Sequence, residues 1–262
     1  MQKINLTKIQ HTITVGDKCA DITPNVTEDS LFYSEGELIG FYIKDLSKYS
    51  EKAAHFADIA NAELLSDRVP KSTMKRSSGL TNHDHEVLQY STIIGAVPPK
   101  PNMRRSYPTM SSVHNVESAR QFVKAMTLLC RESEDLICRI APAIFEHQVK
   151  IFAENVPKKW RFGRMFTSSI SNFNIAAAYH RDAANIVGCV NVIIAKKHAA
   201  SGGNTTIPDY GATVDSADNS MLVYPAWRNL HAVTPIHLHT RKGYRNSLVF
   251  YPLKAFATNH RD

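Results

Sequence analysis

The sequence predicts an α+β fold, a β-sandwich or barrel in the second half buttressed by helices from the first. Three observations carry this. The 262 residues hold 43% apolar and 21% charged side chains, an ordinary soluble composition long enough for one large domain. Two stretches, 47–66 and 116–156, repeat apolar residues at helical spacing. Beyond Pro157, short apolar runs alternate with turn clusters. We therefore expect a single domain over 1–262, helical and loop-rich over 1–157, with the β core over 158–256.

In chain order, residues 31–44 (LFYSEGELIGFYIK) read as one or two strands. Residues 47–66 read as a helix that Ser47 can cap, with apolar positions at 53, 56, 57, 60, 64 and 65. The span 67–116 reads as loop, punctuated by Pro70, Pro98, Pro99, Pro101 and Pro108. Between Val116 and Val156, Phe122, Ala125, Met126, Leu129 and Cys130 share a helical face, and Pro142 should split the run into two helices. The later runs FTSSISNFNIAAAY, GCVNVIIAK, NSMLVYPA and NSLVFYPL read as strands, and Ser201-Gly202-Gly203-Asn204 as a turn.

Composition narrows the partners. No apolar run reaches the ~18 residues of a membrane helix, and no signal-peptide core opens the chain. Cys19, Cys130, Cys138 and Cys189 show no C-x-x-C spacing, which argues against a zinc knuckle or a redox pair. They suggest a reducing, intracellular compartment: the nucleus in a eukaryote, the host cytoplasm for a phage or bacterial protein. A net charge of +7 leans toward an anionic partner such as nucleic acid. We expect no membrane and no obligate protein partner.

His180-Arg181-Asp182 fits two unrelated chemistries. A protein kinase needs H-R-D-L-x-x-x-N, with its Asn five residues after the Asp. Val187 stands there, the first Asn is Asn185, and no D-F-G, G-x-G-x-x-G or V-A-I-K accompanies it. The kinase reading fails. The alternative is H-x-D as two of three ligands to non-heme Fe(II), which takes two imidazoles and a carboxylate on one face and leaves positions open. The third ligand should be a later His, followed by an Arg whose planar fork can hold the far carboxylate of 2-oxoglutarate. His198 reads as a solvent-facing turn, His237 and His239 lie in the turn after Pro235, and His260 lies in the polar tail. His231 follows an apolar strand, and Arg245 opens the apolar run R-N-S-L-V-F-Y fourteen residues on. The cluster His83-Asp84-His85-Glu86 sits in a polar loop and reads as a decoy.

The segments His180-Arg181-Asp182-Ala183-Ala184-Asn185, His231-Ala232-Val233-Thr234-Pro235 and Arg245-Asn246-Ser247-Leu248-Val249-Phe250-Tyr251 closely resemble the TET/JBP dioxygenases, which oxidise the 5-methyl group of pyrimidines in DNA. The resemblance covers about residues 160–254. It implies a double-stranded β-helix (jelly-roll, cupin-like) core and the use of Fe(II), 2-oxoglutarate and O₂. By that resemblance His180, Asp182 and His231 match the iron ligands. Arg245 and Ser247 match the residues that hold the distal carboxylate of 2-oxoglutarate, and Asn172 falls beside the cosubstrate. Asn185 matches the Asn that hydrogen-bonds the flipped base, Tyr251 an aromatic packed on it, and Arg164 a similarly placed Arg. Ala184 and Leu253 stand where the vertebrate-type motif carries His, which leaves 5-methylcytosine and thymine both open as the base. The cysteine-rich zinc-binding region of the vertebrate enzymes is absent.

A methyl group inside a duplex cannot reach a buried iron, so such a substrate must flip out. Lys71, Lys75 and Arg76, the loop from Lys100 through Arg104 and Arg105, and Lys158-Lys159-Trp160-Arg161 are the candidate phosphate-gripping elements. The leading expectation is therefore a dioxygenase acting on DNA that contains a 5-methylpyrimidine, carrying it to the 5-hydroxymethyl form, with the extent of any further oxidation open. The alternatives are an Fe(II)/2-oxoglutarate hydroxylase of a protein side chain or small molecule, and a catalytically silent DNA-binding module.

Overall fold

The computed structural model describes residues 1–73, 89–99 and 106–258. Strands β1 (Gln2–Asn5), β2 (Ser30–Ser34) and β3 (Glu37–Ile43) precede helix α1 (Glu51–Leu65). Then come β4 (Ser72–Thr73), β5 (Tyr90–Val97), β6 (Thr109–Met110) and helices α2 (Arg120–Ile140) and α3 (Pro142–Asn155). The rest is mostly β: β7 (Ser168–Phe173), β8 (Ala177–His180), β9 (Asn191–His198), β10 (Ala200–Gly202), β11 (Thr205–Ile207) and β12 (Ala212–Val214). The last strands are β13 (Met221–Tyr224), β14 (His231–Val233), β15 (Ile236–Leu238) and β16 (Tyr244–Tyr251).

The major sheet runs β1-β2-β3-β13-β9-β16-β7-β5-β4, with β6 on β5; the minor sheet runs β12-β11-β14-β8, and β10 pairs with β15. Among the described residues the named strands all pair antiparallel except β1 with β2. One cavity is lined by β7, β9, β13 and β16 from the major sheet and by β8, β11 and β14 from the minor one. It therefore lies between the two sheets, and the core is the jelly roll expected from the resemblance. Period-2 alternation decides what each strand offers. On β9, Val192 and Ile194 join the helix-side core, while Asn191 and Ile193 line the cavity. On β16, Leu248 and Phe250 face the helices, while Arg245, Ser247, Val249 and Tyr251 line the cavity. The helices cover the major sheet through Ala53, Ala57, Leu64, Phe122, Met126, Leu129 and Ile137. Full burial of one such large apolar side chain contributes about 1.5–3 kcal/mol.

Several expectations change. The strands expected over 31–44 are β2 and β3, but the first half holds more strand than expected: β1, β4 and β5 also extend the major sheet. The prolines that crowd the span around β5 predict loop, yet Tyr90 to Val97 pairs along β7 and is mostly buried. Gly95 sits there at φ +85, and a Cβ would meet the Thr167 carbonyl oxygen at 2.7 Å, so only glycine lets the two backbones approach. Ser50, not Ser47, caps α1, accepting from the Ala53 N–H; Ser47 lies in a preceding turn of 3-10 helix. Pro142 occupies the first turn of α3 and splits the helical run as expected. His237 lies in β15 rather than a turn. Among the described residues no helix is long and apolar enough to cross a membrane.

Candidate active site

His180 ends β8 and His231 opens β14, and the two are paired directly across the antiparallel ladder. Their rings lie 4.3 Å apart. Each ring is oriented in the same way. The Nδ1 atom of His180 contacts the Ala178 carbonyl at 2.7 Å, and Nδ1 of His231 contacts the Asn229 carbonyl at 3.0 Å. A carbonyl only accepts, so each Nδ1 carries a proton and each Nε2 is the atom turned away from the backbone, free to meet a metal. Burial first, then the neighbouring His180, pulls the His231 pKa down to about 4, so that ring is neutral at pH 7.

Asp182 follows β8 by two residues, and its N–H donates to the Ala226 carbonyl at 3.1 Å. Its Oδ1 stands 3.7 Å from His180 Nε2. One donor atom from each of His180, Asp182 and His231 lies within 4.8 Å of the others, the grouping that can hold a metal ion. Two imidazoles and one carboxylate fit Fe(II).

Arg245, 2% exposed, lies on the same cavity wall. Its Nε donates to Ser216 Oγ at 2.9 Å, and among the described residues no carboxylate comes within ion-pair distance. Burial lowers its pKa to about 10, so it stays charged at neutral pH. A buried guanidinium without a carboxylate is costly unless an anion completes it. Gly203 makes room for it: a Cβ there would lie 2.8 Å from Arg245 Nε. Asn174 fixes the strand start, its Oδ1 accepting the Arg245 N–H at 2.8 Å. Ser247 accepts from Asn172 Nδ2 at 3.4 Å. Asn172 Oδ1 and the Tyr224 hydroxyl are buried with no partner among the described residues. Both residues line the cavity, so each has hydrogen-bonding capacity left for a ligand. The Tyr224 ring stands edge-on to His231 at 5.4 Å. The cavity, about 250 Å³, thus offers metal donors, a free cation and unpaired polar atoms, which suits a carboxylate-bearing cosubstrate beside a metal.

The other candidates divide. Asn185 and Tyr251 line the same cavity, as do Ala184 and Leu253. Burial pushes the Tyr251 phenol well up, so it stays protonated. Arg164 does not line it. Its guanidinium binds Glu134 Oε2 at 2.9 Å and Asp135 Oδ1 at 2.6 Å and lies over the Phe145 ring. Glu134 is fully buried and also accepts the N–H groups of Arg164 and Met165, so this ion pair is structural, joining α2 to the approach to β7. Arg161 is likewise committed. It donates to the carbonyls of Val156 and Phe152 at the end of α3, where a helix leaves acceptors without partners. Lys158 and Lys159 are exposed, with Lys159 over the Trp160 ring. Trp160 packs against the cluster of Ala96, Leu253 and Phe256, beside Tyr251 at the edge of the cavity. Lys71 donates to the Ser66 carbonyl and lies over the Tyr90 ring. Arg104, Arg105, Lys75, Arg76, Lys100, the cluster at 83–86 and His260 lie outside the described residues. His198, His237 and His239 are apart from the triad; His237 pairs with Asp21.

Sequence reasoning missed Asn174, Asn191, Gly203, Ser216, Tyr224 and Asn229. Only Asn191 and Tyr224 carry a signal: each is a polar or amphipathic residue at one end of an apolar run in its strand.

The comparisons bear on lineage. A family model described as Tet_JBP, the oxygenase domain of the 2OGFeDO superfamily, matches residues 97–254. No curated protein matches the chain. Among solved structures, NgTET1 in complex with 5mC DNA is similar at a TM-score of 0.59 and 10% identity, covering 98% of this chain and 84% of that one. A 2OG-Fe(II) oxygenase family protein from Burkholderia pseudomallei is similar at 0.46 and 15% identity, covering 78% and 83%. OsALKBH1 is similar at 0.43 and 12% identity, covering 90% and 100%. The family model spans more than half of the sequence, including every strand that supplies a triad residue. The chain therefore belongs to the TET/JBP oxygenases, a family of the Fe(II)- and 2-oxoglutarate-dependent dioxygenase superfamily.

Proposed function

We propose that this dioxygenase oxidises the 5-methyl group of a flipped pyrimidine, 5-methylcytosine or thymine, in DNA. The observation that carries the reading is a single cavity that joins the His180, Asp182 and His231 donors to a wall bearing Asn185 and Tyr251. It is supported by the similarity in fold to a structure solved with 5mC DNA.

In this reading His180, Asp182 and His231 hold the metal from one side, the imidazoles through Nε2. Fe(II), with 2-oxoglutarate and O₂, supplies the oxidising power, and succinate and CO₂ are the by-products. Arg245 and Ser247 hold the distal carboxylate of 2-oxoglutarate, with Asn172 alongside. The anchor contributes on the order of 1.5–3 kcal/mol as a charge-assisted hydrogen bond. Asn185 meets the polar edge of the base, and Tyr251 packs on its face. Lys158 and Lys159, exposed beside Trp160, are positioned to meet phosphates once the nucleotide leaves the stack. Apolar Ile170, Ile175, Ile193 and Val249 line the remaining wall and limit water.

Anaerobic loading with Fe(II), then 2-oxoglutarate and air, tests the reading on matched duplexes bearing 5-methylcytosine or thymine as the only 5-methylpyrimidine. Hydroxymethylated nucleoside by mass spectrometry is the expected result. Succinate without any oxidised nucleoside would shift the substrate to a protein side chain or small molecule. Neither product, with DNA still bound, would mean a binding module.

A further inference from the structure

We propose that Asn191 is a positioning residue that locks the carboxylate of Asp182 into one presentation. Asn191 is 1% exposed and opens β9. Its Nδ2 donates to Asp182 Oδ2 at 2.9 Å. Its Oδ1 accepts from Asn185 Nδ2 at 2.8 Å, and that same nitrogen reaches Asp182 Oδ2 at 3.5 Å.

The directions in this network are forced. An ionised carboxylate can only accept. Asn191 must therefore turn its nitrogen to Asp182, which leaves its oxygen toward Asn185. Asn185 must then turn its own nitrogen inward. Asp182 Oδ2 is thereby occupied, and Oδ1, on the His180 side, is the atom left for a metal. The carboxylate is a one-atom ligand, and its rotation is blocked. Asn185 keeps only its Oδ1, an acceptor, for whatever enters the cavity.

Asn191 is itself held from behind. Gln148 on α3 is fully buried. It accepts the Val190 N–H at 2.8 Å and donates to the Val190 carbonyl at 3.3 Å, so both backbone groups of the preceding residue are tied to the helix. The Asp182 backbone is fixed at both ends, its N–H to Ala226 and its carbonyl to the Asn185 N–H. A chain of contacts thus runs from α3 through β9 to the carboxylate. Partners of this kind typically change metal affinity by about 10–100-fold.

The inference rests on the metal reading of the triad, and the test separates the two. Co(II) binding to the metal-free protein is measured by calorimetry and by the visible absorption of the bound ion, for the wild type, Asn191→Ala and His231→Ala. Wild-type binding that His231→Ala loses supports the metal reading. Asn191→Ala should then bind Co(II) about 10–100-fold more weakly, with an altered absorption band. Its KM for 2-oxoglutarate should stay within about twofold, because the Arg245 anchor does not share this network; general loosening of the fold would move both. Equal Co(II) affinity in Asn191→Ala and wild type overturns the proposal alone. No Co(II) uptake by the wild type overturns it together with the metal reading. If Asn191→Ala does not fold, the wild type still decides. Its Asn191 side-chain amide protons should exchange slowly with solvent by NMR, and exchange as fast as that of an exposed asparagine overturns the clamp.

Discussion

The two sheets hold their functional side chains by different means. In the minor sheet His180 and His231 are direct cross-strand partners, and each ring is tied to a carbonyl two residues upstream on its own segment. Their support is local. In the major sheet Arg245 depends on Ser216, Gly203 and Asn174, all remote in sequence. Asp182, loaded from both sides, takes its backbone anchor from Ala226 and its side-chain partner from β9. The difference predicts where function is robust: the imidazoles should tolerate distant changes better than the carboxylate and the cation do.

The largest effect tests the shared centre. His231→Ala or Asp182→Ala should abolish turnover, a greater loss than the ~10–100-fold expected from an outer partner. DNA affinity should stay near wild type in a binding assay without cosubstrate. Unimpaired oxidation by either variant would show that the donors are not the working centre.

Next in size is the major-sheet cation. Arg245→Met should raise the 2-oxoglutarate requirement by roughly 10–100-fold, the value of a charged hydrogen bond. Removing a buried cation that has no carboxylate should leave the cosubstrate-free melting temperature unchanged or higher. The same variant should lose the thermal stabilisation that 2-oxoglutarate gives the wild type. An unchanged KM would place the anchor elsewhere.

Gly203→Ala asks the same question more gently. Gly203 has φ +69, and the added Cβ would press on Arg245 Nε, Cδ and Cγ. The strain should cost about 1–2 kcal/mol of stability, and the KM for 2-oxoglutarate should rise several-fold as the guanidinium shifts. A stability loss with no change in KM would mean that the side chain moves aside without leaving its ligand.

This contrast also explains what the sequence reveals. His180 and Asp182 are legible as the H-x-D spacing, and His231 and Arg245 as a His and an Arg beside later apolar runs, which the family resemblance then joins into one set. The helices at 120–140 and 142–155 were legible because a proline and an apolar stripe mark them. β5 was not, because its pairing with β7 is a long-range event that overrides the prolines nearby. Arg161 and Arg164 were misread for a related reason. Arg161 stands in a basic cluster and Arg164 matches a family position, and only packing shows that the end of α3 and Glu134 already claim them. Asn191 carries only a weak signal, a single Asn ahead of the apolar run Val192–Ala195 with no motif around it.

The smallest effect probes the support of the minor sheet. Asp209, in the turn between β11 and β12, accepts from His11 Nε2 at 2.8 Å and from Asn229 Nδ2 at 3.0 Å, and the Asn229 carbonyl holds His231 Nδ1. Burial pushes the Asp209 carboxyl up, but hydrogen bonds from Asn229, His11 and the Leu230 N–H outweigh it and hold it below its ordinary 3.8. The folded state therefore binds this proton more weakly than the unfolded chain does. Its contribution to stability is present above the unfolded-state value and is lost as pH falls below it toward the folded-state value. Asp209→Asn should be less stable at pH 7 by about 1 kcal/mol, the scale of one hydrogen bond. Its urea midpoint should fall less steeply than that of the wild type as the pH drops below 3.8. Metal affinity should change by no more than about twofold, since the Asn229 carbonyl still meets His231. A loss as large as that expected for Asn191→Ala would mean that the imidazole side leans on distant partners as heavily as the carboxylate does, and the contrast between the two sheets would fail.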